Sequence, residues 1–242
     1  MSKRVKYMKW QIKCDFDGTI TKQDSTDFVL ENFAAPEWEE IEKDWKSGKI
    51  SSTECMVAQA ELINTTPEEL TSSLSRVKTD PYFVEFIELC DFWNADVSIL
   101  SDGYDFNISN ILAREGLENL KVEANKLEYL GENNFKFTAQ HHAPDCRAKA
   151  GPCKCSKIDR NAYTILIGDG RSDFCAAQSS DMVIAKDSLL DFCRQKGIPH
   201  IPFRNFRDVK NIIRYMLMNK PQMETKPIPE VTAESDKKVS QI

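Results

Sequence analysis

Asp15-Phe16-Asp17-Gly18-Thr19 stands where a short apolar run, residues 10–16, gives way to a turn. In open parallel sheets the strand end is where ligands bind. Two carboxylates two residues apart on an extended chain project toward the same region. A cation there neutralises their repulsion and leaves one of them free to attack an electrophile, and Gly18 permits close backbone approach. The same five residues also suit a strand-ending turn without chemistry, since Asp and Gly are common turn formers. Two further clusters weigh against that plainer reading. Leu100-Ser101-Asp102-Gly103 ends the apolar run 97–100, and Gly168-Asp169-Gly170-Arg171-Ser172-Asp173 ends the run 163–167. Three polar clusters therefore crown three strands.

Working outward, apolar runs recur at 182–185 and 200–203, separated mostly by helical stretches. Such alternation predicts an α/β fold, a doubly wound parallel sheet covered by helices. Between the first two runs lies a long segment with little strand character and repeated helix starts. Asp24 or Ser25 caps one helix, Pro36 opens 37–46, Ser52 or Thr53 caps a helix reaching Ile63, and Thr66-Pro67-Glu68-Glu69 begins another. Asp80-Pro81 then opens a helix through Trp93 that returns the chain to the second strand. The expected division is a catalytic core of residues 1–22 and 80–218, an all-helical insert at 23–79, and a disordered tail at 219–242, where Lys, Glu, Pro and Ser dominate. The alternating stretch 121–140, with Gly131-Glu132-Asn133-Asn134 inside it, reads as a hairpin or flap.

A chain of 242 residues with 41% hydrophobic side chains buries a sizeable core, and its formal charge of -6 argues against a general nucleic-acid or anionic-membrane partner. No apolar run is long enough to span a bilayer, and the basic start lacks the apolar stretch of a secretory signal, so a cytoplasmic protein is expected. Of eight cysteines, Cys14, Cys55, Cys90, Cys175 and Cys193 lie singly in apolar or helical segments and read as small hydrophobes. His141, His142, Cys146, Cys153 and Cys155 are clustered. Four of them, His141, Cys146, Cys153 and Cys155, could serve as soft ligands to a structural zinc ion. Cys153-Lys154-Cys155 is tighter than the usual zinc spacing, and reduced loop thiols are the alternative.

The three strand-end clusters, in this order, resemble the motifs of the haloacid dehalogenase superfamily: Asp-x-Asp-x-Thr, a Ser or Thr strand end, a Lys, and an acidic Gly-Asp-x-x-x-Asp loop. The resemblance covers the chain up to the tail. It implies a doubly wound sheet with a cap domain, and the helical insert resembles the cap of the phosphoserine phosphatase branch. By position, Asp15 is implied as nucleophile and Asp17 as general acid and then base. Ser101 would bond a phosphoryl oxygen, with Asp102 and Gly103 of the same turn beside the substrate. Mg²⁺ is implied, held by Asp15, Asp169 and the main chain of Asp17, with Asp173 as outer partner or further ligand. Lys157 holds the expected place of the phosphate-binding lysine, with Lys154 and Lys149 as alternatives. Asp24 either caps its helix or also meets the substrate.

Asp17 separates reaction types within that superfamily: dehalogenase members lack it and need no metal, so its presence beside Asp169 favours phosphoryl transfer. A site enclosed by a cap favours a small phosphomonoester. The cysteine-rich stretch and Ala35-Pro36-Glu37-Trp38 resemble the methionine-salvage phosphatases, which are related to enzymes acting on phosphoserine, phosphocholine, phosphoethanolamine and thiamine monophosphate. The rival expectations are a binding protein that keeps the fold without turnover and a mutase that returns the phosphoryl group to a sugar.

Overall fold

The computed structural model describes residues 9–140 and 151–219. Its sheet has seven strands: β1 (Lys9–Cys14), β2 (Asp96–Tyr104), β3 (Lys121–Gly131), β4 (Asn134–Thr138), β5 (Ala162–Gly168), β6 (Met182–Ala185) and β7 (His200–Pro202). Their order is β4-β3-β2-β1-β5-β6-β7. Every pairing is parallel except β3 with β4, an antiparallel hairpin that turns through Glu132 and Asn133, both at positive φ. The alternating stretch 121–140 thus extends the sheet at one edge.

β1 lies in the middle, between β2 and β5, which is why its run of alternating types is buried on both faces. Along β5 the two-residue period sorts the side chains. Ile165 and Ile167 enter one hydrophobic cluster and Leu166 the other. Helices cover both faces. The helices α1 (Ser25–Phe33), α2 (Trp38–Lys46), α3 (Ser52–Ala60), α4 (Pro67–Leu74), α5 (Phe83–Phe92) and α6 (Asp105–Arg114) precede β3 in the chain, and α7 (Phe174–Ala177), α8 (Asp187–Lys196) and α9 (Phe206–Met218) follow β5.

On one face Phe206 of α9 packs edge-on to Phe83 of α5 at 4.9 Å between ring centroids. Asp80 locks this junction, accepting from Tyr82 N at 2.9 Å and Phe206 N at 3.1 Å. With Tyr82 N on the Asp80 carboxylate and Phe83 N on the Asp80 carbonyl at 3.0 Å, the chain turns through Pro81 and Tyr82, and α5 begins at Phe83 and not directly after Pro81. Ile213 of α9 is fully buried in the same cluster. Truncating it, Ile213→Ala, should lower the unfolding free energy by about 2–5 kcal/mol in urea titration.

Residues 20–22 and 78–80 run side by side: Lys22 N donates to Lys78 O at 2.9 Å and Asp80 N to Ile20 O at 2.8 Å, around a bridge between Thr21 and Thr79. Between these paired segments run α1 to α4; α2 begins at Trp38 without a side-chain cap, and α3 is capped by Ser51, not by the expected Ser52 or Thr53, which lie inside the helix because the Ser51 hydroxyl is the one that reaches Glu54 N. Asp24 caps α1, and capping boxes open α3 (Ser51 with Glu54) and α4 (Thr66 with Glu69). α3 stops at Ala60, short of the expected Ile63, because Ile63 bridges to Ala34 and Asn64 N donates to Phe33 O, tying the loop to the end of α1. No helix among the described residues is long and apolar enough to cross a membrane. The tail expected to be disordered lies almost wholly outside the described residues.

Candidate active site

The site forms at the carboxyl ends of β1, β2 and β5, where the parallel ladders run out and backbone groups turn to side chains. Asp15 N still donates to Ile167 O at 2.9 Å, so the last rung between β1 and β5 fixes the residue just past the strand. Its side chain is buried. The backbone then curls through Gly18, whose φ of +72° is a left-handed conformation that glycine adopts without strain. The turn also demands a residue without Cβ, since one built at Gly18 would stand 2.6 Å from Asp169 Oδ2. Thr19 Oγ1 donates to Asp169 Oδ1 at 2.8 Å, joining the first motif to the acidic loop.

Lys154 enters from the segment before β5 and ends in the middle of the carboxylates. Its Nζ lies 2.6 Å from Asp15 Oδ1, 2.8 Å from Asp173 Oδ1, 3.0 Å from Ser172 Oγ and 3.7 Å from Asp102 Oδ1. Lys154 is 3% exposed and Asp173 0% exposed. Burial alone would lower the ammonium's pKa, but Asp15 and Asp173 hold it well above the ordinary lysine value, so it stays charged. Asp15 is pushed well above the carboxylate range by burial and by Asp173, against the pull of Lys154. Burial also raises Asp173, while Lys154 opposes it.

The expectation of Lys157 is corrected by this geometry. Lys157 Nζ pairs with Glu123 Oε2 at 2.8 Å, away from Asp15. Burial pushes Glu123 up, but the hydrogen bond from Lys157 and the charges of Lys13 and Lys121 bring it down to about 2. Lys154 and Lys157 open and close one 3₁₀ turn, and only the first reaches the strand ends. Lys149, His141, His142 and Cys146 lie outside the described residues. Cys153 and Cys155 flank Lys154 with their Sγ atoms 3.2 Å apart.

Oxygen atoms of Asp15, Asp169 and Asp173 lie within 4.8 Å of one another. One ammonium among these carboxylates leaves negative charge unbalanced, and hard oxygen donors at this spacing suit a small divalent cation such as Mg²⁺. The carboxylate of Asp17 is not part of that group. It turns toward α1, accepting from Ser25 N at 2.7 Å, and burial raises it to about 6 against the pull of that bond.

Ser101 Oγ accepts from Gly103 N at 3.0 Å, shaping the last residues of β2. A Cβ on Gly103 would meet Asp17 Oδ2 at 2.5 Å, so this glycine is what lets Asp17 occupy its place. Asp24 does what its cap position predicts, accepting from Thr26 N at 2.8 Å and Asp27 N at 3.0 Å. It also borders a cavity of about 320 Å³ that opens from Asp17 and Gly103 toward Thr26, Trp45 and Met56. Thr26 Oγ1 on this wall is buried and without a partner. Sequence reasoning missed Ser172, whose only signal was its place inside the acidic loop, and the bond from Thr19 to Asp169.

The arrangement sets a buried carboxylate at a strand end against a charged lysine and an acidic loop. The haloacid dehalogenase-like hydrolase family matches over residues 12–178, and the chain belongs to that family. It is a phosphoric monoester hydrolase. Among its relatives, the 2-hydroxy-3-keto-5-methylthiopentenyl-1-phosphate phosphatase of Bacillus cereus (strain G9842) is 32% identical over 220 residues, 87% of this chain and 98% of that protein. The enzyme of the same name from Geobacillus kaustophilus (strain HTA426) is 33% identical over 211 residues, 84% and 94% of the two chains. A solved phospho-aspartyl intermediate analogue of phosphoserine phosphatase shares the fold with a TM-score of 0.62 at 20% identity, covering 86% of this chain and 99% of that one.

Proposed function

We propose that the chain hydrolyses a small phosphomonoester in two steps through an aspartyl-phosphate on Asp15. The observation that carries this reading is the ammonium of Lys154 set 2.6 Å from Asp15 Oδ1 in a buried site. A free carboxylate oxygen of Asp15 attacks phosphorus, the bond from phosphorus to the leaving oxygen breaks, and Asp17 gives that oxygen its proton. Asp17, now a carboxylate, takes a proton from water, whose oxygen attacks the same phosphorus and frees Asp15 and inorganic phosphate. A carboxyl raised to about 6 exchanges protons readily near neutral pH in both directions. Lys154 and Ser101 grip the phosphoryl oxygens throughout, where fixed charges and donors supply most of the catalysis.

Mg²⁺ would be held by Asp15, Asp169 and the main-chain carbonyl of Asp17, with Asp173 as outer partner, and would neutralise charge on the transferring group. Chelation with EDTA should therefore abolish phosphate release and added Mg²⁺ should restore it. Unchanged release from metal-stripped protein would rule the metal out.

The names of the relatives point to 2-hydroxy-3-keto-5-methylthiopentenyl-1-phosphate as the substrate, and the cavity supports that choice. Trp45, Cys55 and Met56 offer a soft apolar wall for a thioether, while Thr26 and Asp24 offer partners to a hydroxyl. Helices α1 to α3 supply this wall, which gives the insert 23–79 the role of a cap over the site. A second reading rests on Asp24, Asp27 and Glu42 in the same cavity, an acidic lining that favours an amine-bearing leaving group such as that of phosphoserine or phosphoethanolamine. Rates of phosphate release across both groups of esters decide between them.

Gly103→Ala places a methyl group against Asp17 Oδ2. It should lower kcat by about 10- to 100-fold through displacement of the acid, with little change in thermal stability.

A further inference from the structure

β3 carries a polar residue where its neighbours are apolar or exposed. Asn125 is 0% exposed, and a buried amide must find partners for both its donors and its acceptor. The partners follow from an irregularity in the sheet. β2 and β3 pair in register up to Leu100 with Glu123 and resume only at Tyr104 with Asn125, so β2 bulges through Ser101, Asp102 and Gly103. The bulge aims Ser101 at the site and leaves the carbonyl of Asp102 without a strand partner. Asn125 Nδ2 fills that place, donating to Asp102 O at 2.7 Å.

The second Nδ2 hydrogen goes to the carbonyl of Gly151, and Oδ1 accepts from Gln140 N at 3.1 Å. Two carbonyls on one side and an N–H on the other admit a single orientation of the amide. Gly151 tolerates this approach because a Cβ there would stand 2.9 Å from Asn125 Oδ1. Gly151 lies just ahead of Lys154, and Lys157, just after it, pairs with Glu123 at 2.8 Å. Residues 123 and 125 share one face of β3. The segment bearing Lys154 is thus fastened to that face on both sides, and the Asn125 fastening is the one that also holds the Ser101 bulge.

We propose that Asn125 is a positioning residue that sets Lys154 and Ser101 in register with each other on the transferring phosphoryl group. The inference rests on the reading that these two residues grip that group. A carboxylate in place of the amide keeps the shape but presents lone pairs to the carbonyls of Asp102 and Gly151, so both would be pushed away.

The test is steady-state kinetics of the full chain on p-nitrophenyl phosphate with saturating Mg²⁺. It compares Asn125→Asp with Ile213→Ala, a destabilised variant in the distant α9, at a temperature where both are folded. Misplacement of a gripping residue by an ångström costs about 100-fold, so Asn125→Asp should lower kcat by that order while KM changes less than about threefold, and Ile213→Ala should keep the parent kcat. Should Asn125→Asp not fold, Asn125→Ser, which retains a single donor, carries the same test with an expected loss of about tenfold. A folded Asn125 variant with kcat within threefold of the parent overturns the proposal, as does an equal loss of kcat in Ile213→Ala. Asp15→Asn in the same assay separates the two levels: activity in that variant would sink the two-step reading itself, whereas a dead Asp15→Asn beside an active Asn125→Asp sinks only the positioning role.

Discussion

Asp15→Asn should reduce phosphate release by roughly a thousandfold or more, the scale seen when a covalent nucleophile is removed, while the protein remains folded. The amide cannot attack phosphorus, yet it has the shape of the carboxylate and can still accept from Lys154. Burial and Asp173 raise the folded-state pKa of Asp15 above its unfolded value. The native chain therefore holds that proton longer than the unfolded chain does. Stability is present at low pH and declines as pH rises through the ordinary carboxylate range, up to the folded pKa. A neutral amide removes this dependence, so metal-free Asp15→Asn should melt no lower than the parent at pH 7 by circular dichroism. A large fall in melting temperature would mean that Asp15 serves the fold before it serves chemistry.

Lys154→Met should be almost as damaging. It removes the ammonium that neutralises the phosphoryl group and leaves Asp15 and Asp173 facing each other, so kcat should fall by about 100- to 1,000-fold. Lys157→Ala loses one partly exposed ion pair with Glu123, and should cost no more than about fivefold. The contrast between the two lysines is the sharper result. If Lys157→Ala were the inactive variant and Lys154→Met the active one, the assignment made from the geometry would be reversed.

Much of this site was legible in the chain because its parts are local. Asp15-Phe16-Asp17-Gly18-Thr19, Ser101-Asp102-Gly103 and Gly168-Asp169 each sit at the end of an apolar run, and a parallel sheet gathers such ends by construction. Asp24 and the Thr66 start of α4 were equally readable, since a cap acts on backbone two or three residues away, whereas α3 is capped by Ser51, one residue before the expected Ser52 or Thr53. The lysine was not, because which residue of the 149–157 segment reaches Asp15 depends on how that segment is tied to β3. Those ties, Asn125 to Gly151 and Glu123 to Lys157, join residues far apart in the chain. The early end of α3 has the same origin: its residues suit a longer helix, and a bridge between Ala34 and Ile63 overrides them. Asn125 left one signal, an uncharged polar residue inside an alternating strand, which becomes informative only once that position is found buried.

The covalent step on Asp15 is tested most directly by acid quenching during turnover followed by mass spectrometry of peptides. The expected result is a phosphoryl group on the peptide carrying Asp15, removed by hydroxylamine as an acyl phosphate is, and absent from Asp15→Asn. Turnover with no phosphorylated peptide in rapid-quench samples across the burst, or a phosphoryl group on another residue, would contradict it.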